Sequence, residues 1–90
     1  MKIYKYPFVV TDQQILDLPK GVRPLAVALQ FDIPCLWALV DENAPLQRRR
    51  LTIYGTGHSI DPSVNQFYVG TFQMRDGLLV WHVFINKDNK

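Results

Sequence analysis

The sequence is poor in the features that staple small secreted domains and in those that build catalytic or metal centres. Its single cysteine, Cys35, has no partner for an internal disulfide and no second thiol for a zinc site. No window approaches the ~18 consecutive apolar residues of a membrane-spanning helix. The start, Met1-Lys2-Ile3-Tyr4-Lys5-Tyr6-Pro7, has lysines with no apolar run behind them, which argues against a signal peptide. Together these absences point to a cytoplasmic protein without membrane contact. Glu42 is the only glutamate, so a paired-carboxylate site would have to draw on scattered aspartates. The two histidines, His58 and His82, have no adjacent carboxylates and specify no metal site. Charge of one sign is scarce too. Ten Lys and Arg against eight Asp and Glu give +2, and setting aside Arg48-Arg49-Arg50 turns this into −1. A general nucleic-acid binder spreads basic residues over a wide face, so that class is not expected.

What remains is an apolar, aromatic chain of 90 residues, 48% hydrophobic, with eleven aromatics. That composition argues against disorder. The length suits one domain, expected over residues 1–86 with a frayed tail over 87–90. Surface scaling for 10.4 kDa gives roughly 15,000 Å² unfolded and about 5,400 Å² folded. One core follows, with little material left for a deep enzyme cleft.

The dominant hydrophobic period is two. Leu25, Val27, Leu29 and Phe31 alternate with small or polar residues, as a half-buried strand requires. Cys35 to Val40 is apolar on both faces and reads as a central strand. From Arg49 to Tyr54 alternation returns, with Leu51 and Ile53 facing in and Arg50, Thr52 and Tyr54 facing out. Asp32-Ile33-Pro34 reads as a tight connection. Ile3 to Val10 reads as an edge strand, because Pro7 lacks the N–H of a central one. Gln14 to Leu18 reads as a short strand, with a single helical turn as the alternative, and Pro19-Lys20-Gly21 as a turn.

The clearest hairpin signal is Asp76-Gly77, a favoured pair for a type I′ turn, with a three-residue bulged loop, which would shift the register by one, as the alternative. The type I′ register pairs Met74 with Leu79, Phe72 with Trp81, Gly70 with Val83 and Tyr68 with Ile85 on an apolar core face. The other face pairs Gln73 with Val80, Thr71 with His82 and Val69 with Phe84. The expected fold is all-β: a small β-sandwich or partly open barrel of six to seven short, mostly antiparallel strands.

Two segments are candidates for binding. In Arg48-Arg49-Arg50, strand alternation lets Arg48 and Arg50 present guanidinium forks on one face, whereas arginines at a strand start also guard an edge. Gly55-Thr56-Gly57-His58, at the other end of the same strand, allows a turn whose N–H groups hold an oxyanion. Neither a Walker loop nor a dinucleotide fingerprint is present. His58, Ser59 and Asp61 supply triad residue types without a nucleophile elbow, and Cys35 reads as a buried small hydrophobe. Trp37 and Trp81 read as core, His82 as a packed or cross-strand residue, and Tyr54 and Tyr68 as a surface that stacks a ligand.

Four segments carry a resemblance: Lys2 to Pro7, Pro34-Cys35-Leu36-Trp37-Ala38-Leu39-Val40-Asp41, Gly55-Thr56-Gly57-His58 and Tyr68-Val69-Gly70-Thr71-Phe72. Together, nearly end to end, they resemble a family of short bacteriophage and prophage proteins of unassigned function. The resemblance implies a phage origin and action in the cytoplasm of the infected bacterium or in the particle, with no catalytic residues or cofactor to transfer. The resulting expectation is a non-enzymatic, self-associating binding protein that inhibits host defence by capturing a small anionic, nucleotide-type signal. Its ligand would sit near Arg48, Arg50, Tyr54, Gly55, Gly57 and His58. The alternatives are a protein that masks a host protein, and a minor virion component.

Overall fold

The computed structural model describes residues 1–87. Seven strands form: β1 (Lys2–Pro7), β2 (Gln13–Pro19), β3 (Arg23–Gln30), β4 (Ile33–Val40), β5 (Leu46–Gly55), β6 (Gln66–Met74) and β7 (Leu79–Asn86). All pairings are antiparallel, in a three-stranded sheet of order β1-β4-β3 and a four-stranded sheet of order β2-β5-β7-β6. The described residues contain no helix. The fold is therefore the expected all-β one, sandwich-like with open sheets, and Gln14 to Leu18 lies within strand β2.

One core joins the inward faces. Val27, Leu36, Ala38 and Val40 from the three-stranded sheet meet Leu18, Leu51, Ile53, Phe72, Val83 and Ile85 from the other, with Phe8 closing the passage from β1 to β2. The Gln14 side chain clamps that passage by accepting from Val9 N–H and donating to Val9 C=O. The molecule is flat, 39 × 34 × 16 Å, and its 5976 Å² of surface exceeds the ~5,400 Å² expected for its mass. The sheets approach most closely where β3 meets β6. Both of these strands carry a bulge, one at Leu25 and one at Val69.

Four expectations are corrected here, two of them by these bulges. Leu25 drops out of pairing and is exposed, so the Leu25/Val27/Leu29/Phe31 alternation breaks at its first member. It also breaks at its last, because Phe31 and Asp32, both left-handed, form the two-residue turn between β3 and β4. Ile33 and Pro34 belong to β4 rather than to the connection. In the β6–β7 hairpin the expected register holds from Met74/Leu79 to Gly70/Val83 and then slips. Tyr68 pairs with Phe84 instead of Ile85, and Phe67 takes Ile85, which carries Tyr68 from the core face to the outside.

β4 is the central strand of its sheet, as its two-sided apolarity implies. Cys35 is buried. The Lys5 ammonium donates to Gln30 Oε1 at 2.6 Å, from β1 to β3, and the register carries this bridge across β4 over Cys35. Trp37 is not core: it is half-buried on the outward face between Lys5 and Ala26, whereas Trp81 packs against the core as expected. Lys87, expected to begin the tail, still donates its N–H to Asn65 C=O at 3.0 Å. The rest of the expected tail, residues 88–90, lies outside the described residues.

Candidate functional site

β5 begins at Leu46, so the arginine run occupies the strand's interior rather than its start. Alternation separates its members. Arg49 turns inward and is 4% exposed; its guanidinium donates to Asn86 C=O and Oδ1, and Asn86 Oδ1 also accepts the Arg50 N–H at 2.7 Å. Arg49 is thus a structural tie between β5 and the end of β7. Arg48 and Arg50 are exposed on the outer face of the four-stranded sheet, in register with Asp17 and Ile15 of β2. Among the described residues the one ion pair is Lys2–Glu42, which leaves both guanidinium groups unpaired.

Along the same face Thr52 and Tyr54 follow Arg50, and β7 sets Phe84 and His82 beside them. Tyr54 meets Phe84 edge-on at 5.4 Å, and Tyr68 meets the same ring at 5.6 Å. Such perpendicular contacts suit the ring quadrupoles. Gln66 Nε2 donates to the Tyr54 hydroxyl at 2.9 Å. A polar chain continues from Tyr68 Oη to Thr71 Oγ1 at 2.6 Å, to His82 Nδ1 at 2.9 Å, and from His82 Nε2 to Thr56 Oγ1 at 2.7 Å. His82 is therefore the cross-strand residue that its alternation implied. Phe84 was not singled out in the sequence, because its neighbour across the ladder depends on the Val69 bulge.

The Gly-Thr-Gly-His loop lies apart. Gly55 is five residues beyond Arg50, about 17 Å along the strand. It takes the inward-facing parity beside Trp81. Its N–H, expected as an oxyanion donor, is already donated to His58 Nδ1 at 3.1 Å, and His58 N–H returns to Gly55 C=O at 3.1 Å. A Cβ on Gly55 would stand 2.9 Å from His58 Cε1, so the glycine is what lets the imidazole fold back. Gly57 is left-handed at φ +89. The loop lines a depression of about 320 Å³ with Leu78, Leu79, Val80 and Trp81.

The six residues expected to form one site therefore divide into two groups. Arg48, Arg50 and Tyr54 share a sheet face with Tyr68 and Phe84. Gly55, Gly57 and His58 form a turn at the strand's end in which the Gly55 and His58 N–H groups are already donated. No three His, Cys, Asp or Glu side chains gather among the described residues. No match was found among curated proteins or solved structures. One family does match, over residues 1–90, and the chain belongs to it: the domain of unknown function DUF7352.

Proposed function

We propose that the chain is a non-enzymatic, phage-encoded binding protein that captures a small anionic ligand of nucleotide type on the outer face of its four-stranded sheet. Removing such a signal in the cytoplasm of an infected bacterium would inhibit host defence. One observation carries the reading: two arginines with no ion-pair partner among the described residues stand on the same face as an aromatic group. Arg50 supplies a planar fork for phosphate oxygens. Phe84, on the neighbouring strand in register with Thr52, lies one strand across and about 7 Å further along the sheet, with Tyr68 and Tyr54 on either side of it. Exposed aromatic faces stack bases at about 1–3 kcal/mol each. The platform is open to solvent, and self-association would cover it. The phage origin rests on the sequence resemblance alone.

A thermal-shift panel of mono-, di- and cyclic nucleotides tests the reading. The wild type should shift with at least one ligand, and Arg50→Ala and Tyr68→Ala should each abolish that shift. Silence across the panel, or shifts unchanged in both variants, would end it. Light scattering at micromolar concentration reads self-association. Masking of a host protein is the second reading, favoured by exposed apolar side chains at the hairpin tips. A virion role would show as co-purification with particles.

A further inference from the structure

We propose that the end of the sandwich formed by the Phe31-Asp32 and Arg75–Leu78 hairpin tips docks another protein. Phe31 and Leu78 are its anchors, and the partner offers an apolar pocket under a basic rim. This rests on the second reading above and assigns it a surface.

Among the described residues, all four non-glycine residues with positive φ lie in these two turns: Phe31 (50°), Asp32 (63°), Arg75 (53°) and Asp76 (54°). Aspartate is at home there, whereas a phenylalanine pushes its Cβ against the carbonyl in that conformation. Burial of the ring would compensate, but Phe31 is 91% exposed. Leu78 is 82% exposed, and these are the two most exposed large apolar side chains among the described residues. One comes from each sheet, yet their hairpins flank a single cleft of about 440 Å³. Leu29 and Asp32 line it from one side and Gln73 to Gly77 from the other. A strained, solvated aromatic has no use inside this chain. At an interface, an aromatic entering a pocket is the residue type that carries binding energy.

Charge selects the partner. Asp32 and Asp76 outnumber Arg75 at the tips, so a basic rim complements them. A second copy set tip to tip would oppose like charges, and an anionic bilayer would repel the same end.

The test places photo-crosslinking benzoylphenylalanine at position 31, 78 or 46 in turn and irradiates each variant in bacterial cytoplasmic extract. Leu46, also exposed, sits at the start of β5, away from the tips. The same host polypeptide should be trapped from 31 and 78 and not from 46. Once purified, it should bind the wild type and lose at least tenfold in affinity for Leu78→Ser and for the charge reversal Asp32→Lys/Asp76→Lys. Adducts at 46 alone would overturn the tip surface and leave host masking standing, whereas no adduct at any position would overturn both. Crosslinks between copies or to lipid would also overturn the proposal. An arm independent of any partner is Phe31→Asn, which relieves the backbone and should raise the thermal midpoint by about 4 °C or more. A lowered midpoint would show that Phe31 serves the fold and would overturn its role as anchor.

Discussion

Gly70 of β6 packs so closely on Val27 of β3 that a methyl group in place of its hydrogen would lie 2.9 Å from Val27 Cγ2 and 3.4 Å from the Val27 backbone nitrogen. This contact joins the two sheets at their closest approach. Because Val27 is buried and β-branched, its Cγ2 has little freedom to swing aside. Gly70→Ala is expected to cost about 1–3 kcal/mol through overpacking. Denaturant titration should show Val27→Ala recovering part of that loss in the double variant, since residues in contact do not add independently. Additive losses would mean that the strands separate rather than clash.

The three consecutive arginines should differ sharply in their effect on stability. Arg49 is buried and holds the end of β7 through Asn86, so Arg49→Ala should cost about 1.5–3 kcal/mol, the range for hydrogen bonds to charged groups. Arg48→Ala and Arg50→Ala, on the exposed face, should stay within about 0.5 kcal/mol. Urea midpoints for the three variants provide the comparison. Equal losses would remove the structural role assigned to Arg49.

Tyr4 at the free edge donates its hydroxyl to Glu42 Oε2 at 2.9 Å, and Lys2 pairs with the same carboxylate at 3.0 Å. The hydrogen bond to Glu42, with smaller contributions from burial and the carboxylate's charge, raises the Tyr4 pKa above its ordinary value of 10.0. The neutral phenol is thus favoured in the folded state. Its stabilisation is present below pH 10.0 and is lost as pH rises through the higher folded value. Ultraviolet titration of the phenols should show one tyrosine moving down toward the ordinary value in Glu42→Ala.

Gly55→Ala would force the His58 ring away from the position in which it accepts the Gly55 N–H. Because a mobile side chain gives way there, the stability loss should stay near the ~1 kcal/mol of one hydrogen bond. The imidazole nitrogen resonances of His58 should move while those of His82 do not. An unmoved His58 spectrum would show that the turn does not depend on this contact.

Much of this architecture is legible residue by residue. Period-two alternation marks β5, the two-sided apolar run marks β4 as central, and Asp76-Gly77 sets the β6–β7 register as far as Gly70/Val83. Each of these signals is local: it depends on backbone geometry within a few residues. The outward pairing of Arg48 with Arg50 and the cross-strand place of His82 follow from the same rule.

The rest was decided by distant contacts. The Val69 bulge turns Tyr68 outward onto Phe84, and β3 packs against Gly70 from the other sheet just beside that bulge. Phe31 reads as the last member of a strand, yet the chain turns there, since the hairpin's register with β4 outweighs one apolar residue. The Gly-Thr-Gly-His loop reads as an open anion cradle, and only the folded turn shows His58 occupying its donor. The sequence by itself therefore determined the all-β class, most strand faces and the single small core. Tertiary structure decided that Arg49 meets Asn86, which aromatics share a face with Arg48 and Arg50, and where the apolar tips point. Alternation is a property of one strand, whereas bulges and inter-sheet contacts depend on what the neighbouring strands can accommodate.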